Sequence, residues 1–415
     1  MIAMENMKQN TINANTEGLI RQALSVSAQA LDSIPSFAEA DYFLEQIRKY
    51  YSFEALSETS PKVIVMGTDF PSEIVLTLTG KPPYWIIGGN NAFTVASDED
   101  VPRDTDPVTR SALGQLATME QAKETALVVI PCSSDAQRKV AYYLQKNGWK
   151  VVTVWIPAVK DEATHKGFLS ELEHSIRIIC RHVGKRYSAI ALNRAVAYMS
   201  KIRSGIHDFL DAARSNEQLV PGNLRMAVQD SFFMTDDLDD WYKHLIQLTN
   251  AIRKGEPRNN PRVLIIGSPI YFPNFKIPSL LSDAGVSICG TIDSRSGQYE
   301  DVFEHEQQKG LAALAHYYFE HDSSGAFVWN HELMEAIRHY VEETNPDGII
   351  WHVLKGQIEY DFELNRCEKY FEEQDLPVIR LETDYQYQDV EQLRIRIEAF
   401  SELLTQKKKE KGAKQ

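Results

Sequence analysis

Eight short apolar runs recur along the chain in two groups of four. Helical stretches separate several of them, and a short apolar run bounded by turn residues is typical of a strand buried on both faces of a parallel sheet. The pattern therefore predicts an α/β protein with two Rossmann-like, doubly wound parallel-sheet lobes. The runs are Lys62 to Thr68, Tyr84 to Gly89, Ala126 to Ile130, Val151 to Trp155, Arg262 to Ser268, Val286 to Cys289, Gly348 to Val353 and Pro377 to Leu381.

Helical periodicity surrounds the two groups of runs. An apolar stripe begins at Leu19 and Ile20, and apolar residues at three- and four-residue spacing, such as Leu172, Ile176 and Ile179, continue through the middle of the chain. We expect the lobes to face one another across a layer of these helices. The predicted units are an N-terminal helical segment over 1–60, a first lobe over 61–160, a helical connecting region and linker over 161–260, a second lobe over 261–405 and a lysine-rich, solvated tail over 406–415.

Composition narrows the class of partner and the compartment. The net charge of −14 over 415 residues argues against a nucleic-acid partner, because phosphate binding needs a basic surface. No apolar run approaches the roughly 18 residues of a membrane helix, and the first residues do not have the layout of a signal peptide. The four cysteines lie far apart without a Cys-x-x-Cys pair, which fits a reducing cytoplasm.

Candidate chemistry lies at the carboxyl ends of the predicted strands, where open α/β sheets bind ligands. Glu73 and Asp135 follow two strands, and each is either a general base or a carboxylate that pairs with a helix dipole. His352 ends an apolar run, where a buried and hydrogen-bonded core residue is the more frequent finding. Lys355 follows it and lies either in a cleft, where it meets a phosphate or thioester, or on the rim.

The cysteines divide into three core residues and one candidate. Cys180 and Cys367 lie on apolar helix faces, and Cys289 ends a buried strand. Cys132, in the segment Pro-Cys-Ser-Ser-Asp, occupies a strand end where chemistry is plausible. One thiolate does not hold an iron–sulfur cluster.

Several segments between about residues 62 and 405 resemble the 2-hydroxyacyl-CoA dehydratase and benzoyl-CoA reductase subunit family. The closing segment, Glu382-Thr383-Asp384 followed by residues 394 to 400, is the most specific of them. The others, in chain order, are Pro71-Ser72-Glu73 with Gly80, Asp106-Pro107-Val108-Thr109-Arg110-Ser111, Ile130-Pro131-Cys132-Ser133-Ser134-Asp135 and Lys355-Gly356-Gln357.

The resemblance implies a two-subunit enzyme in which cysteines hold [4Fe-4S] clusters and a separate ATP-hydrolysing activator injects one electron. The reduced cluster generates a ketyl radical from a CoA thioester, and an (R)-2-hydroxyacyl-CoA is dehydrated. At the three positions that the resemblance assigns to ligand cysteines stand Asp106, Ser134 and Gln357, with Cys132 two residues from one of them. Oxygen-bearing side chains are poor ligands for iron–sulfur clusters, so we expect the cluster in a partner subunit instead.

Three hypotheses follow for function. In the first, the chain is a subunit of a 2-hydroxyacyl-CoA dehydratase whose homologous partner carries the cluster, with Glu73 near the substrate and Lys355 on the CoA side. In the second, it is a non-catalytic acyl-CoA-binding, scaffold or regulatory relative that has lost the redox centre. In the third, Asp106, Ser134 and Gln357 bind a hard cation through oxygen.

Overall fold

Two four-stranded, entirely parallel sheets form the framework of the chain. The computed structural model describes residues 2–52, 62–98, 100–253, 260–295, 309–322 and 324–412. The first sheet contains β1 (Val63–Met66), β2 (Tyr84–Ile86), β3 (Leu127–Cys132) and β4 (Lys150–Trp155), in the order β2-β1-β3-β4. The second contains β5 (Arg262–Gly267), β6 (Ser287–Ile292), β7 (Gly348–Leu354) and β8 (Val378–Thr383), in the order β6-β5-β7-β8. All eight predicted strands are present, and the α/β class is confirmed.

Helices precede, connect and follow the two sheets. The helices of the described residues are α1 (Ile2–Asp32), α2 (Asp41–Ser52), α3 (Ser72–Thr79), α4 (Asn91–Ala96), α5 (Pro107–Ala117), α6 (Asp135–Lys146), α7 (Glu162–Val183), α8 (Ala189–Ser215), α9 (Gly222–Ser231), α10 (Leu238–Ile252), α11 (Lys276–Asp283), α12 (Leu311–Glu320), α13 (His331–Thr344), α14 (Glu359–Glu373) and α15 (Val390–Gly412). In this part of the chain, none of the helices combines the length and the apolar character that crossing a membrane would require.

Side chains alternate between the two faces of each sheet, as strand geometry requires. In β1, Val63 and Val65 belong to a large central core, while Ile64 and Met66 pack with residues of α5 and α6 on the outer face. In β5, the same division places Val263 and Ile265 in the central core and the intervening residue in an outer cluster with α13 and α14. The central strands β1, β3, β5 and β7 are buried along nearly their whole length and are therefore largely apolar, whereas the edge strands β4 and β8 also carry exposed polar residues.

The central core joins the two sheets to the helices of the middle of the chain. Leu172, Ile176 and Ile179 of α7 are buried in this core, so the predicted apolar face is confirmed. Trp85 of β2 and Trp241 of α10 are among its largest fully buried side chains. Both sheets lie inside the predicted ranges of the two lobes, whereas the exact domain boundaries stay predictions.

Two lysines of the predicted tail form ion pairs with residues of the second lobe. Helix α15 continues to Gly412, and the ammonium group of Lys407 lies 2.5 Å from the carboxylate of Asp375. Lys408 lies 3.2 Å from the carboxylate of Asp347. These ion pairs bring Lys407 and Lys408 into contact with the second lobe.

Strand order defines where a ligand would bind. In the first sheet β2 lies on one side of β1 and β3 lies on the other. In the second sheet β6 and β7 flank β5 in the same way. The direction of strand order therefore reverses between β1 and β3 and between β5 and β7. In open α/β sheets, ligands bind at the carboxyl ends of the strands beside this reversal.

Candidate functional site

A cleft of about 360 Å³ lies between the lobes, at the carboxyl ends of the strands that flank both reversals of strand order. This volume is within the range of small-molecule sites. Its walls come from the loops after β1, β3, β5, β6 and β7, from the start of α5 and from the loop before α13. The lining residues are Gly67, Thr68, Asp69, Asp106, Val108, Thr109, Ser133, Ser134, Asp135, Ala136, Gln137, Pro269, Tyr271, Ser294, Ser324, Ala326, Gly356, Gln357, Ile358, Glu359 and Tyr360.

The lobes approach each other closely around this cleft. The hydroxyl groups of Thr68 in the first lobe and Tyr271 in the second lie 3.2 Å apart and share a hydrogen bond. Gly356 has φ +85°, and a Cβ atom there would lie 3.1 Å from both the carbonyl oxygen of Asp104 and the nitrogen of Asp106. Glycine therefore allows the loop after β7 to lie against the segment before α5.

The structure brings Asp106, Ser134 and Gln357 together in the wall of this single cleft. Asp106 caps α5, where its Oδ1 accepts hydrogen bonds from the backbone N–H of Thr109 at 3.0 Å and from the amide Nε2 of Gln357 at 3.4 Å. Ser134 caps α6, and its hydroxyl accepts the backbone N–H of Gln137. Two of the three residues thus contact each other directly across the lobes.

The donor set of the cleft does not fit an iron–sulfur cluster. Such clusters are held by thiolates, and the three converging residues offer a carboxylate, a hydroxyl and an amide. All four cysteines lie in the described residues, and none lines the cleft. Cys132 is fully buried on the outer face of the first sheet, where burial raises the pKa of its thiol to about 12 and keeps it protonated.

The hard-cation hypothesis rests on a carboxylate, a hydroxyl and an amide, and a separate group of acidic and histidine side chains lies elsewhere. Among the described residues, the only group of three or more histidine, cysteine or acidic side chains close enough to share one ion is His207, Asp211 and Glu343. That group lies outside the cleft, and Arg214 already pairs with both of its carboxylates. A cation at Asp106 stays a prediction.

Four carboxylates line the cleft, and the described lining contains no lysine or arginine. Burial, together with the nearby carboxylate of Asp322, raises the pKa of Asp69 to about 8. Burial raises the pKa of Glu359 to about 7, and the neighbouring carboxylate of Asp106 adds to this rise. Burial also raises the pKa of Asp106. The cleft can therefore hold protons near neutral pH.

Asp69, Glu359 and Tyr271 are cleft residues that sequence reasoning missed. Asp69 lies three residues beyond the end of β1, so its place after a strand was an available signal. Glu359 lies two residues after Gln357, at the first position of α14. Tyr271 lines the cleft and forms a hydrogen bond with Thr68 of the other lobe. No local sequence pattern predicts this contact.

Glu73 lies in a buried ion pair outside the lining of the cleft. The guanidinium group of Arg203 on α8 donates to its Oε1 at 2.6 Å, and the Tyr318 hydroxyl donates to its Oε2 at 2.9 Å. All three side chains are buried. The carboxylate thus ties α3 to α8 and α12, and its catalytic role stays a prediction.

The remaining candidates lie at the rim or in the core. Lys355 is exposed beside the cleft-lining Gly356, with its ammonium group 3.9 Å from the Asp384 carboxylate. Asp135 also lines the cleft, in the first turn of α6. His352 is buried, its Nδ1 lies 2.7 Å from the Ser268 carbonyl oxygen, and burial lowers its pKa to about 4. His352 is therefore a neutral, hydrogen-bonded core residue.

The fold and cleft define a two-lobed α/β protein with its candidate site between paired parallel sheets. Residues 67–404 match the family described as 2-hydroxyglutaryl-CoA dehydratase, D-component, and the chain belongs to this family. The family resemblance predicted from the motifs is thereby confirmed.

Two curated relatives extend this result. Over 320 residues the chain is 25% identical to the putative dehydratase subunit YjiM of Escherichia coli (strain K12), covering 74% of this chain and 82% of that protein. Over 360 residues it is 23% identical to the (R)-phenyllactyl-CoA dehydratase beta subunit of Clostridium sporogenes, covering 86% of this chain and 95% of that protein.

Proposed function

We propose that this chain is the subunit of a 2-hydroxyacyl-CoA dehydratase that carries no iron–sulfur cluster of its own. Membership of the family and the subunit descriptions of both relatives support a dehydratase-type subunit with a partner. The observation that carries the cluster-free assignment is the hydrogen bond between Gln357 and Asp106. These side chains stand where the resemblance assigns cysteine ligands, and they bind each other.

In this proposal the homologous partner holds the [4Fe-4S] cluster and receives an electron from an ATP-dependent activator. The cluster supplies the reducing chemistry of the ketyl-radical route. This chain supplies the polar wall of the cleft between its lobes. Loss of a hydroxyl group as water requires a proton, and Asp69 and Glu359 hold protons near neutral pH in this cleft.

The CoA portion of the substrate is assigned to the outside of the cleft. The described lining of the cleft offers no lysine or arginine to pair with phosphate groups, whereas Lys355 presents a cation at the rim. The acyl group would then enter between Tyr271 and Ile358, which contribute apolar surface to the lining.

A second candidate function is a non-catalytic acyl-CoA-binding, scaffold or regulatory protein. The lack of any cysteine in the lining of the cleft supports it, because the cleft then has no thiolate for redox chemistry of its own. This candidate shares the fold and the partner of the first. It differs in predicting that dehydration by the partner does not require this chain.

Anaerobic purification separates the two functions. The chain would be prepared alone and with a cysteine-bearing subunit of the same family from the same organism, and iron, sulfide and the visible spectrum would be measured. Dehydration of (R)-phenyllactyl-CoA and other (R)-2-hydroxyacyl-CoA thioesters would then be assayed with activator and ATP.

We expect a colourless, iron-free chain alone and a brown complex whose activity needs both subunits. About four irons bound to the isolated chain would contradict the cluster-free assignment. A partner that is fully active without this chain would favour the second function.

A further inference from the structure

An apolar stripe leads from the cleft to the protein surface. Ile358, in the cleft wall, is 65% exposed, and Phe362 and Trp329 are each 69% exposed. Large apolar side chains of a folded chain are normally buried, and a contiguous exposed group of them marks an interaction site more often than chance.

The stripe is continuous because of helix geometry and one cation–π contact. Ile358, Phe362 and Arg366 are spaced four residues apart at the start of α14, so their side chains share one face of this helix. The guanidinium carbon of Arg366 lies 5.1 Å from the centre of the Trp329 ring. Trp329 therefore extends the row that Ile358 begins at the cleft.

Trp329 is held on the surface in a conformation that tryptophan rarely adopts. Its φ is +58°, in the left-handed region where a Cβ atom is crowded. Arg366, whose guanidinium group contacts the indole ring, also pairs with the Glu363 carboxylate at 2.6 Å. The fold thus strains the backbone to display an indole ring that it does not bury.

We propose that Ile358, Phe362 and Trp329, called here the docking stripe, bind the homologous cysteine-bearing subunit. The inference rests on the proposed function, which requires such a partner. Aromatic side chains such as Phe362 and Trp329 bury about 150–250 Å² each when fully covered, and both are already partly buried, so the stripe supplies roughly a third of the about 800 Å² that one side of a stable interface needs.

Position and charge support this partner. Because Ile358 also lines the cleft, a subunit seated on the stripe covers the cleft mouth and adds groups to a site without thiolates. The carboxylates of Asp135 and Glu359 line the same cleft, so the matching partner surface combines an apolar pocket with basic side chains. Exposed tryptophan beside arginine is also the composition of interface hot spots.

Thiol labelling tests whether the cysteine-bearing subunit covers the docking stripe. Phe362→Cys places a reactive thiol in it, and Ile395→Cys, at a 66% exposed position on α15, is the matched control. In the isolated chain both thiols should react at similar rates. Bound to the cysteine-bearing subunit, Phe362→Cys should react at least tenfold more slowly and Ile395→Cys at an unchanged rate.

Affinity variants provide a second readout. Ile358→Glu combined with Phe362→Glu should weaken the complex at least tenfold, while Ile395→Glu should leave its dissociation constant unchanged. Trp329→Gly removes the indole ring and relieves the backbone strain, so it should weaken binding without lowering the stability of the isolated chain. This variant separates lost contact from lost folding.

The outcomes distinguish the inference from the proposed function. A wild-type complex that neither shields Phe362→Cys nor responds to the variants overturns the docking stripe alone. Failure of the wild-type chain to bind the cysteine-bearing subunit overturns both. Shielding in the isolated chain also overturns the partner assignment, with dependence on concentration indicating a second copy and independence indicating a segment of the chain itself.

Discussion

The amide group of Gln357 donates a hydrogen bond to the carboxylate of Asp106 across the boundary between the two lobes. The residues are 251 positions apart, and both line the cleft at the carboxyl ends of the sheets. Asp106 also caps helix α5 through Thr109. One carboxylate oxygen therefore fixes a helix start and joins the lobes, at positions where the family resemblance assigns metal ligands.

A double-mutant cycle should detect this contact. Asp106→Ala should cost about 1–2 kcal/mol of unfolding free energy, because it removes a helix cap as well. Gln357→Ala should cost less, and the coupling energy between the two should be about 0.5–1 kcal/mol, since the hydrogen bond is long at 3.4 Å. Urea denaturation of the wild-type chain, the two single variants and the double variant measures this coupling energy.

Asp161 provides the control for this cycle. It caps α7 by accepting the backbone N–H of Thr164, in the same way that Asp106 caps α5. Asp161→Ala and Gln357→Ala should be additive within about 0.5 kcal/mol. Equal coupling energies in the two cycles would show that Gln357 has no specific interaction with Asp106.

Restoring thiols at the three converging positions should create an iron–sulfur site. Asp106→Cys, Ser134→Cys and Gln357→Cys together place three thiolates in one cleft wall. After anaerobic incubation with iron and sulfide, the triple variant should gain iron and visible absorbance, while the wild-type chain stays colourless. As a control, the triple variant that also carries Cys180→Ser should take up the same amount of iron. Equal iron uptake by the wild-type chain would contradict the prediction.

Glu73 should be a structural residue whose loss destabilises the fold. Glu73→Gln removes the carboxylate that pairs with the buried guanidinium group of Arg203, which should cost about 3–5 kcal/mol. Glu73→Leu combined with Arg203→Met should recover much of this loss. Glu162→Gln, in an exposed pair with Lys166, should change the unfolding free energy by less than about 0.5 kcal/mol.

Activity measurements separate this structural role of Glu73 from a catalytic one. With a structural role, kcat per folded molecule should be unchanged in Glu73→Gln. A large fall in kcat at wild-type stability would support the catalytic role predicted from sequence.

Glu359 should make stability depend on pH. Its pKa of about 7 lies above the value of an unfolded glutamate, so the folded chain retains a proton that the unfolded chain releases. The unfolding free energy should therefore fall as pH rises from the ordinary glutamate range to about 7, by about 1–3 kcal/mol. Denaturation at about pH 5 and about pH 7.5 should show this slope in the wild-type chain and less of it in Glu359→Gln.

Asp106 should contribute to that titration. Asp106→Asn removes a neighbouring negative charge and should lower the pKa of Glu359, which carboxyl-carbon NMR can follow. Glu335→Gln, at an exposed position paired with Arg338, is the control and should leave the slope unchanged. An unchanged Glu359 pKa in Asp106→Asn would show that burial alone raises it.

The strands and the class of fold could be predicted from the amino-acid pattern alone. Strands buried on both faces are apolar at nearly every position, so runs such as those at β1 and β7 are visible without any knowledge of their partners. The same rule located the sheet edge that carries the candidate site. The family motifs then identified Asp106, Ser134 and Gln357 as the residues at the positions of the cluster ligands.

The contacts of the individual side chains became clear only from the three-dimensional fold. Glu73 pairs with Arg203, which is 130 positions away in the sequence. Local sequence patterns do not predict that these two side chains meet. Cys132 turns to the outer face of its sheet because side chains alternate along a strand, whereas the loop that follows it opens into the cleft. Local sequence sets backbone form, but burial and contact depend on residues brought together from distant parts of the chain, and those decide charge, reactivity and function.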